Sequence, residues 1–335
     1  MTTFKEIRGT AIQVVSSDPS NPETGQIWYN SSSGTLKGYV FATVNAWASG
    51  GSLSSSVGYR GSAGTQTAAL AIGGYVSPPG ARSSATEEYD GTAWTSGGSL
   101  GTARYLHASL GTQTAALMAT GNGPTPFPTS AEKYNGTSWT SAGNVSTGRR
   151  SLGGAGTDTA GLIFGGGNPS PISPPANVES YNGTSWTSVT GLGTARYAGG
   201  GGGVQTAAIY FSGFANPGPP NLTNVTELWN GTSWTASGNY PTSLGSSGFA
   251  GTQGAGISFA GENQGPPFPY TNTNSWNGST WTSLGVSMAN SRQYQNGSCG
   301  TQTSALAISG SPGPVINLSE EWTGSQFSTK TVTVS

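Results

Sequence analysis

An eight-residue phrase recurs along this chain at nearly constant intervals, and a tandem repeat constrains the fold more than any other feature of a sequence. Aligned on its last aromatic, the repeat places Trp94, Trp139, Trp186, Trp234 and Trp281 in one slot, with Trp47 before them and Phe327 after. By subtraction the successive intervals are 47, 45, 47, 48, 47 and 46 residues. The phrases run EEYDGTAW (87–94), EKYNGTSW (132–139), ESYNGTSW (179–186), ELWNGTSW (227–234), NSWNGSTW (274–281) and EEWTGSQF (320–327). A second phrase stands upstream of each, as in GTQTAALAIGG, GTQTAALMATG and GTDTAGLIFGG. A unit of this length cannot bury both of its faces alone, so neighbouring units must stack.

Each unit reads as four short strands. Asn-Gly or Asp-Gly between two short runs is a strong hairpin signal, and a type I′ turn is expected there because it takes φ > 0 at both central residues. That pairs residues 85–90 with 92–97. The GTQT phrase closes a second tight hairpin, between a small-residue strand such as Leu106–Leu110 and the strand Thr114–Ala119. Four strands joined up and down make a twisted blade, and radial stacking of blades makes a propeller. Small residues on the first two strands suit a crowded centre, and the Trp and Tyr of the last two suit the wider gaps between blades. Nothing in the chain has a 3.6-residue period, so a helical solenoid is excluded. The 55 Gly and 7% charged residues would fit a disordered chain, but 10 Trp and glycines at fixed places do not.

The pattern resembles the kelch repeat, in which a Gly-Gly doublet ends the second strand and a Glu-x-Tyr strand precedes a Trp. Gly73–Gly74 with Tyr89 and Trp94, and Gly165–Gly166 with Tyr181 and Trp186, match it. Ala119–Thr120–Gly121 and Ala260–Gly261 lack a clean doublet, and Asn274 replaces the Glu. The resemblance covers residues 47 to 330 and implies an all-β, kelch-like β-propeller. Seven blades is the favoured count and six the alternative. In the seven-blade reading the last blade is closed by N- and C-terminal strands: residues 26–47 give three strands, including the one with Trp47, and 330–335 a fourth. Residues 26–335 are then the propeller and 1–25 an extended N-terminal docking arm. Closure of this kind removes exposed sheet edges.

Turns between strands 1–2 and 3–4 are short everywhere, whereas the 2–3 loops are long, Pro-rich and different in every unit. Variable loops on a constant scaffold are where binding is usually found. Tyr75, Phe127, Phe214, Phe268 and Tyr270 are aromatic tips within them, with two readings: packing on adjacent loops, or contact with a sugar ring or partner protein. Arg104, Arg149, Arg196 and Arg292 share a slot at the entry to the innermost strand, where Val57 and Leu244 stand in two other units. These arginines are expected to ring the mouth of a central channel. The kelch resemblance implies partner binding by Arg at this place, and the alternative is a repeated salt bridge or carbonyl contact between blades. Glu87, Glu132, Glu179, Glu227 and Glu320 recur at one strand position and read as structural.

Several chemistries are excluded. His107 is the only histidine, too few for a His-based triad or a zinc site of several His, or for the copper centre of kelch-type oxidases. Acidic residues occupy the repeated Glu slot and are not clustered as catalytic pairs. Gly199–Gly203 is not a phosphate loop, since no Lys-Ser/Thr follows. Cys299 stands alone and reads as a buried structural thiol. No metal or cofactor is implied, and the chain is not read as an enzyme. The net charge of −1 gives no long-range attraction for nucleic acid. No apolar run is long enough to insert in a membrane.

The stretch SDPSNPETGQIWYNSSSGTLKGY (17–39) resembles a segment near the start of phage tail-fibre and other virion proteins. With the kelch-like array, the whole chain resembles virion proteins of environmental and marine phages. That resemblance implies a virion location after synthesis in the host cytoplasm, contact with other virion proteins through the N-terminal arm, and possible oligomers on the particle. It implies a non-enzymatic adhesion module whose loop face binds a host surface glycan or protein. A structural decoration or joint of tail or capsid is the second reading, and a cellular kelch adaptor the third.

Overall fold

Short, alternating, aromatic-rich runs separated by Gly and Asn turns build strands, and a computed structural model of the chain has no helix among its described residues. It describes residues 12–42, 44–77, 80–125, 127–168, 175–215, 221–263, 270–293, 297–311 and 314–332. Their strands form seven sheets, distributed over two units. The larger unit, Ala46–Thr323, holds six.

In the larger unit the sheets follow the repeat. Sheet 1 is built from Val57–Gly58 and Gly61–Gly64 at its inner edge, then Ala69–Val76, Ala81–Tyr89 and Trp94–Ser96. Sheet 2 runs Ala108–Gly111, Ala116–Ala119, Ala131–Tyr134 and Trp139–Ala142, all antiparallel. Sheets 3 to 5 repeat this order with inner strands Gly153–Gly156, Gly200–Val204 and Gly248–Gly251. Sheet 6 has inner strand Ser298–Thr301, then Ser304–Ile308 and Ser319–Thr323, and its outer strand is Ala46–Ser49 from the start of the unit. The six inner strands neighbour one another in cyclic order, and the last of them neighbours the first. This arrangement is consistent with a propeller, in which radial packing of separate sheets leaves only short, protected edges.

One expectation is corrected at the closure. Trp47 is not in a sheet with residues 26–42. It pairs with Trp322 across sheet 6, ring centroids 5.5 Å apart, and so takes the slot in which Phe327 was expected. The phrase Glu320–Phe327 resembles the others up to its turn, but the strand after that turn, Gln326–Thr331, pairs with Thr35–Ala42 instead. The expected meeting of N- and C-terminal strands does occur, in the smaller unit.

The smaller unit, residues 1–45 and 324–335, contains one sheet in the order Gln13–Val15, Ile27–Asn30, Thr35–Ala42 and Gln326–Thr331. The first pair is parallel and the others antiparallel. The span expected to be an extended arm therefore supplies a strand to this sheet, while residues 1–11 lie outside the described part. Asp18 closes the crossover between the parallel strands. Its carboxylate accepts from Lys37 Nζ at 2.7 Å, Asn30 Nδ2 at 2.7 Å and the fully buried Trp28 Nε1 at 3.1 Å.

Turn chemistry is also corrected. Tyr134 pairs with Trp139, which leaves a four-residue connection, Asn135–Ser138, and of its residues Gly136 is the one with positive φ. Asn135 Oδ1 accepts from the backbone N–H of Thr137 and Ser138, an Asx turn in place of the expected two-residue type I′ hairpin. Asp90, Asn182, Asn230 and Asn277 make the same pair of bonds in their sheets. Small residues fill the inner strands because large rings lie over them: a Cβ on Gly200 would meet the Phe211 ring at 2.3 Å.

Candidate functional site

The candidate site is one rim of the ring of six sheets, and the constant residues beneath it fix its geometry. At the end of every second strand two successive residues have positive φ: Gly73–Gly74, Thr120–Gly121, Gly165–Gly166, Ser212–Gly213, Ala260–Gly261 and Ser309–Gly310. The imperfect doublets of the sequence thus adopt the same backbone as the clean ones. The second residue points its N–H at the next sheet: Gly121 donates to Arg149 O at 2.9 Å, and Gly74 to Arg104 O at 2.9 Å. A left-handed conformation is unfavourable for a residue with a Cβ. Thr120 offsets it with its hydroxyl, which donates to Arg149 O and accepts from Arg149 N, both at 2.8 Å. Ser212 does the same with Leu244.

The arginine slot lies under the rim, not on it. Arg104, Arg149, Arg196 and Arg292 are all fully buried, which corrects the expectation that they ring a channel mouth and contact partners. Arg149 donates to Glu179 at 2.6 Å, Arg104 to Glu132 at 3.2 Å, Arg292 lies 3.0 Å from Glu320, and Arg196 donates to Glu227. Each Glu also accepts from a backbone N–H of the preceding connection, as Glu179 does from Ser146 at 2.7 Å. The physical reason is burial: each guanidinium is held by a carboxylate within its own repeat and has no surface that a partner could reach. A fifth member, Arg60, escaped the sequence alignment because it stands three residues past the slot held by Val57, yet it reaches Glu87 at 2.7 Å. In sheet 5 both members change together. Leu244 and Asn274 replace the pair, and Tyr240 fills the space, accepting from Asn274 Nδ2 at 2.8 Å.

A second set of fasteners was read in the sequence only as turns. The Gln of each GTQT phrase reaches the previous sheet: Gln113 Nε2 donates to Ala69 O at 3.1 Å and Tyr89 O at 2.6 Å. Gln66, Gln205, Gln253 and Gln302 make equivalent pairs. Asp158 in the GTDT phrase cannot donate, and Lys133 of sheet 2 pairs with it at 3.3 Å.

On this frame the residues that differ from sheet to sheet stand directly beside those that do not. The residue after each Arg slot bridges the residue after each positive-φ pair: Tyr105 with Asn122, Arg150 with Gly167, Tyr197 with Phe214, Gly245 with Glu262 and Gln293 with Ser311. In sheet 1 the same pairing is Gly58 with Tyr75. Two patches result. Tyr75 meets Tyr59 and Tyr105 in a half-buried cluster with ring centroids 5.2–5.9 Å apart. Phe214 stacks on Tyr197 at 5.2 Å, and Arg150 lies over Phe127 at 5.6 Å. Burial raises the Tyr197 phenol and the Glu262 carboxyl above their ordinary ranges.

Of the predicted aromatic tips, Tyr75, Phe127 and Phe214 lie in these patches, and Phe268 is outside the described residues. Tyr270 packs partly into the core of sheets 4 and 5 and accepts from Asn263 Nδ2. The packing reading therefore applies to Tyr75, Phe127 and Phe214, and these rings keep part of their surface in solvent. Tyr59, Tyr105, Arg150 and Tyr197 were missed. For Tyr105, Arg150 and Tyr197 the available signal was their place immediately after the Arg slot, whereas Tyr59 stands one residue further on and carried no such signal.

The inner strands border an open cavity of about 230 Å³ lined mostly by Gly, Ala and Ser, with Leu110, Leu152, Phe249, His107 and Cys299. His107 is buried, its ring nitrogens 2.9 Å from Ser109 Oγ and 3.2 Å from Ile72 O, and burial pushes its pKa down to about 4. Burial pushes the Cys299 thiol up to about 12, so it stays protonated and unreactive at neutral pH. Among the described residues no group of three or more His, Cys, Asp or Glu is placed to hold a metal ion. No protein-family model matches the chain, and a search of curated proteins returns no match.

Proposed function

We propose that the chain is a non-enzymatic adhesion module of a phage virion, with the larger unit a six-bladed, kelch-like propeller that meets a host surface glycan or protein through its rim. The observation that carries this reading is the confinement of difference. Arg–Glu pairs, positive-φ doublets and Gln fasteners repeat around the ring, while the adjoining bridge positions change from Tyr to Arg to Gln. Folding needs the first set and is indifferent to the second, and surface variation of that kind on a rigid frame is the mark of recognition. The six-blade count rests on Trp47 completing sheet 6 and on the cyclic order of six inner strands.

The virion assignment rests on the resemblance of residues 17–39. It draws support from the smaller unit, where Val14 and Tyr29 are register partners and both exposed, with Ile12 also exposed nearby: apolar surface suited to another subunit. The test has two arms. Antibody against the propeller should label intact particles, and the purified full chain should adsorb saturably to the bacterium those particles infect. Adsorption should fall at least about tenfold when Tyr75 and Tyr197 are both replaced by Ala. Failure of labelling, or a particle reconstruction with the rim buried between subunits, would overturn adhesion and assign the chain to a structural joint.

A further inference from the structure

The three-tyrosine patch carries more than a generic contact surface. Tyr59–Tyr75, Tyr59–Tyr105 and Tyr75–Tyr105 centroids are 5.9, 5.7 and 5.2 Å apart, and the first pair is edge-on at 89°. Tyr105 is held by a relay: its phenol oxygen accepts from Asn122 Nδ2 at 2.9 Å, and Asn122 Oδ1 accepts from Arg82 Nη2 at 3.3 Å. The Tyr105 oxygen accepts this bond, and its O–H remains a donor. Arg82 is exposed and, among the described residues, has no carboxylate partner, whereas the five buried arginines each have one. The patch thus combines apolar ring surface, a phenol hydroxyl and an exposed guanidinium with N–H donors beyond the one that bonds Asn122.

We infer that Tyr59, Tyr75, Tyr105 and Arg82 form a site for an acidic hexopyranose, a uronic acid residue of a surface polysaccharide. Ring faces take the C–H side of a pyranose, phenol hydroxyls take its hydroxyl groups, and the planar guanidinium fork takes its carboxylate. A neutral sugar would leave Arg82 unmatched. The inference rests on the reading of the rim as an adhesion surface and names what it recognises.

Calorimetric titration of the full chain with trigalacturonate and with triglucuronate, against maltotriose, tests it. At least one uronate should bind about tenfold or more tighter than maltotriose. Arg82→Gln, an exposed change that leaves the fold alone, should abolish that preference. Tyr75→Ala should weaken uronate binding at least about tenfold at an unchanged melting temperature. Equal affinity for acidic and neutral trisaccharides, a preference that survives Arg82→Gln, or no uronate binding at about 10 mM would overturn the assignment. Adsorption to cells that persists in an Arg82→Gln, Tyr75→Ala chain would overturn this site while leaving adhesion by the rim intact. Loss of all adsorption by the unaltered chain would instead remove the reading on which the site rests.

Discussion

Trp139 donates its indole N–H across the gap between sheets to the hydroxyl of Thr86, at 3.0 Å. Trp281 repeats the contact with Thr226 and Trp47 with Thr273. In the two intervening gaps the slot holds Ala131 and Val178, and among the described residues the indole nitrogens of Trp186 and Trp234 have no partner. Val178 has the shape of the threonine that stands there in other sheets. Val178→Thr should therefore stabilise the chain by about 0.5–1.5 kcal/mol by giving Trp234 an acceptor, and Thr226→Val should cost about 1–3 kcal/mol by orphaning Trp281. Urea unfolding followed by Trp fluorescence checks both. Equal and opposite signs to these would show that water already serves the indoles.

The buried ion pairs make a stronger demand. Arg149 and Glu179 are both removed from solvent, and burial alone drives the Arg149 pKa down, so the charge persists through its partner. Arg149→Leu leaves a carboxylate without its cation and should cost about 3–5 kcal/mol. Sheet 5 supplies the repair. Val145 stands four residues before Arg149, as Tyr240 stands four before Leu244, and both donate to the corresponding backbone carbonyl. The triple change Val145→Tyr, Arg149→Leu, Glu179→Asn should recover most of that loss, read as the denaturation midpoint at constant m-value.

Gln113 ties sheet 2 to sheet 1 through two carbonyls. Gln113→Ala should cost about 1–3 kcal/mol, since two acceptors at the seam lose their donor. The converse change, Asp158→Gln, places a donor at the one seam that lacks it and should raise the melting temperature. Differential scanning calorimetry of the two variants gives the signs directly.

Much of this is legible in the sequence, for a physical reason. A repeat writes each constraint six times, so Trp, Gly-Gly, Glu and Arg slots stood out against the variable loops. Three things were not legible. Arg60 performs the slot's task from a position three residues displaced, because a long flexible side chain can reach Glu87 from either place. Trp47 and Phe327 are indistinguishable as aromatic strand markers, and only pairing in space assigns Trp47 to Trp322. The binding patch failed to show for a third reason: Tyr59, Tyr75 and Tyr105 are separated by 16 and 30 residues by subtraction and meet only where two sheets adjoin. A slot that repeats reports what folding requires, so Arg in such a slot was better evidence for burial than for recognition.

The Asp18 clamp makes the smaller unit acid-sensitive. Bonds from Lys37, then Asn30, then Trp28 lower the Asp18 pKa from its ordinary 3.8 to about 2. A carboxyl with a depressed folded-state pKa contributes its stability in full above the unfolded value and loses it as pH falls through the folded one. The window is therefore from about pH 4 down to about pH 2, and no change is expected between pH 5 and 8. The indole Nε1–H of Trp28, bonded to Asp18 and fully buried, is the local reporter. Its hydrogen exchange should be slow at pH 5 and accelerate, beyond the intrinsic pH effect, on descent through that window. In Asp18→Asn the acceleration should vanish, because the residue no longer titrates, and exchange should be faster than in the unaltered chain at pH 5. Exchange at pH 5 unchanged by Asp18→Asn would mean that burial, not the carboxylate, protects the indole.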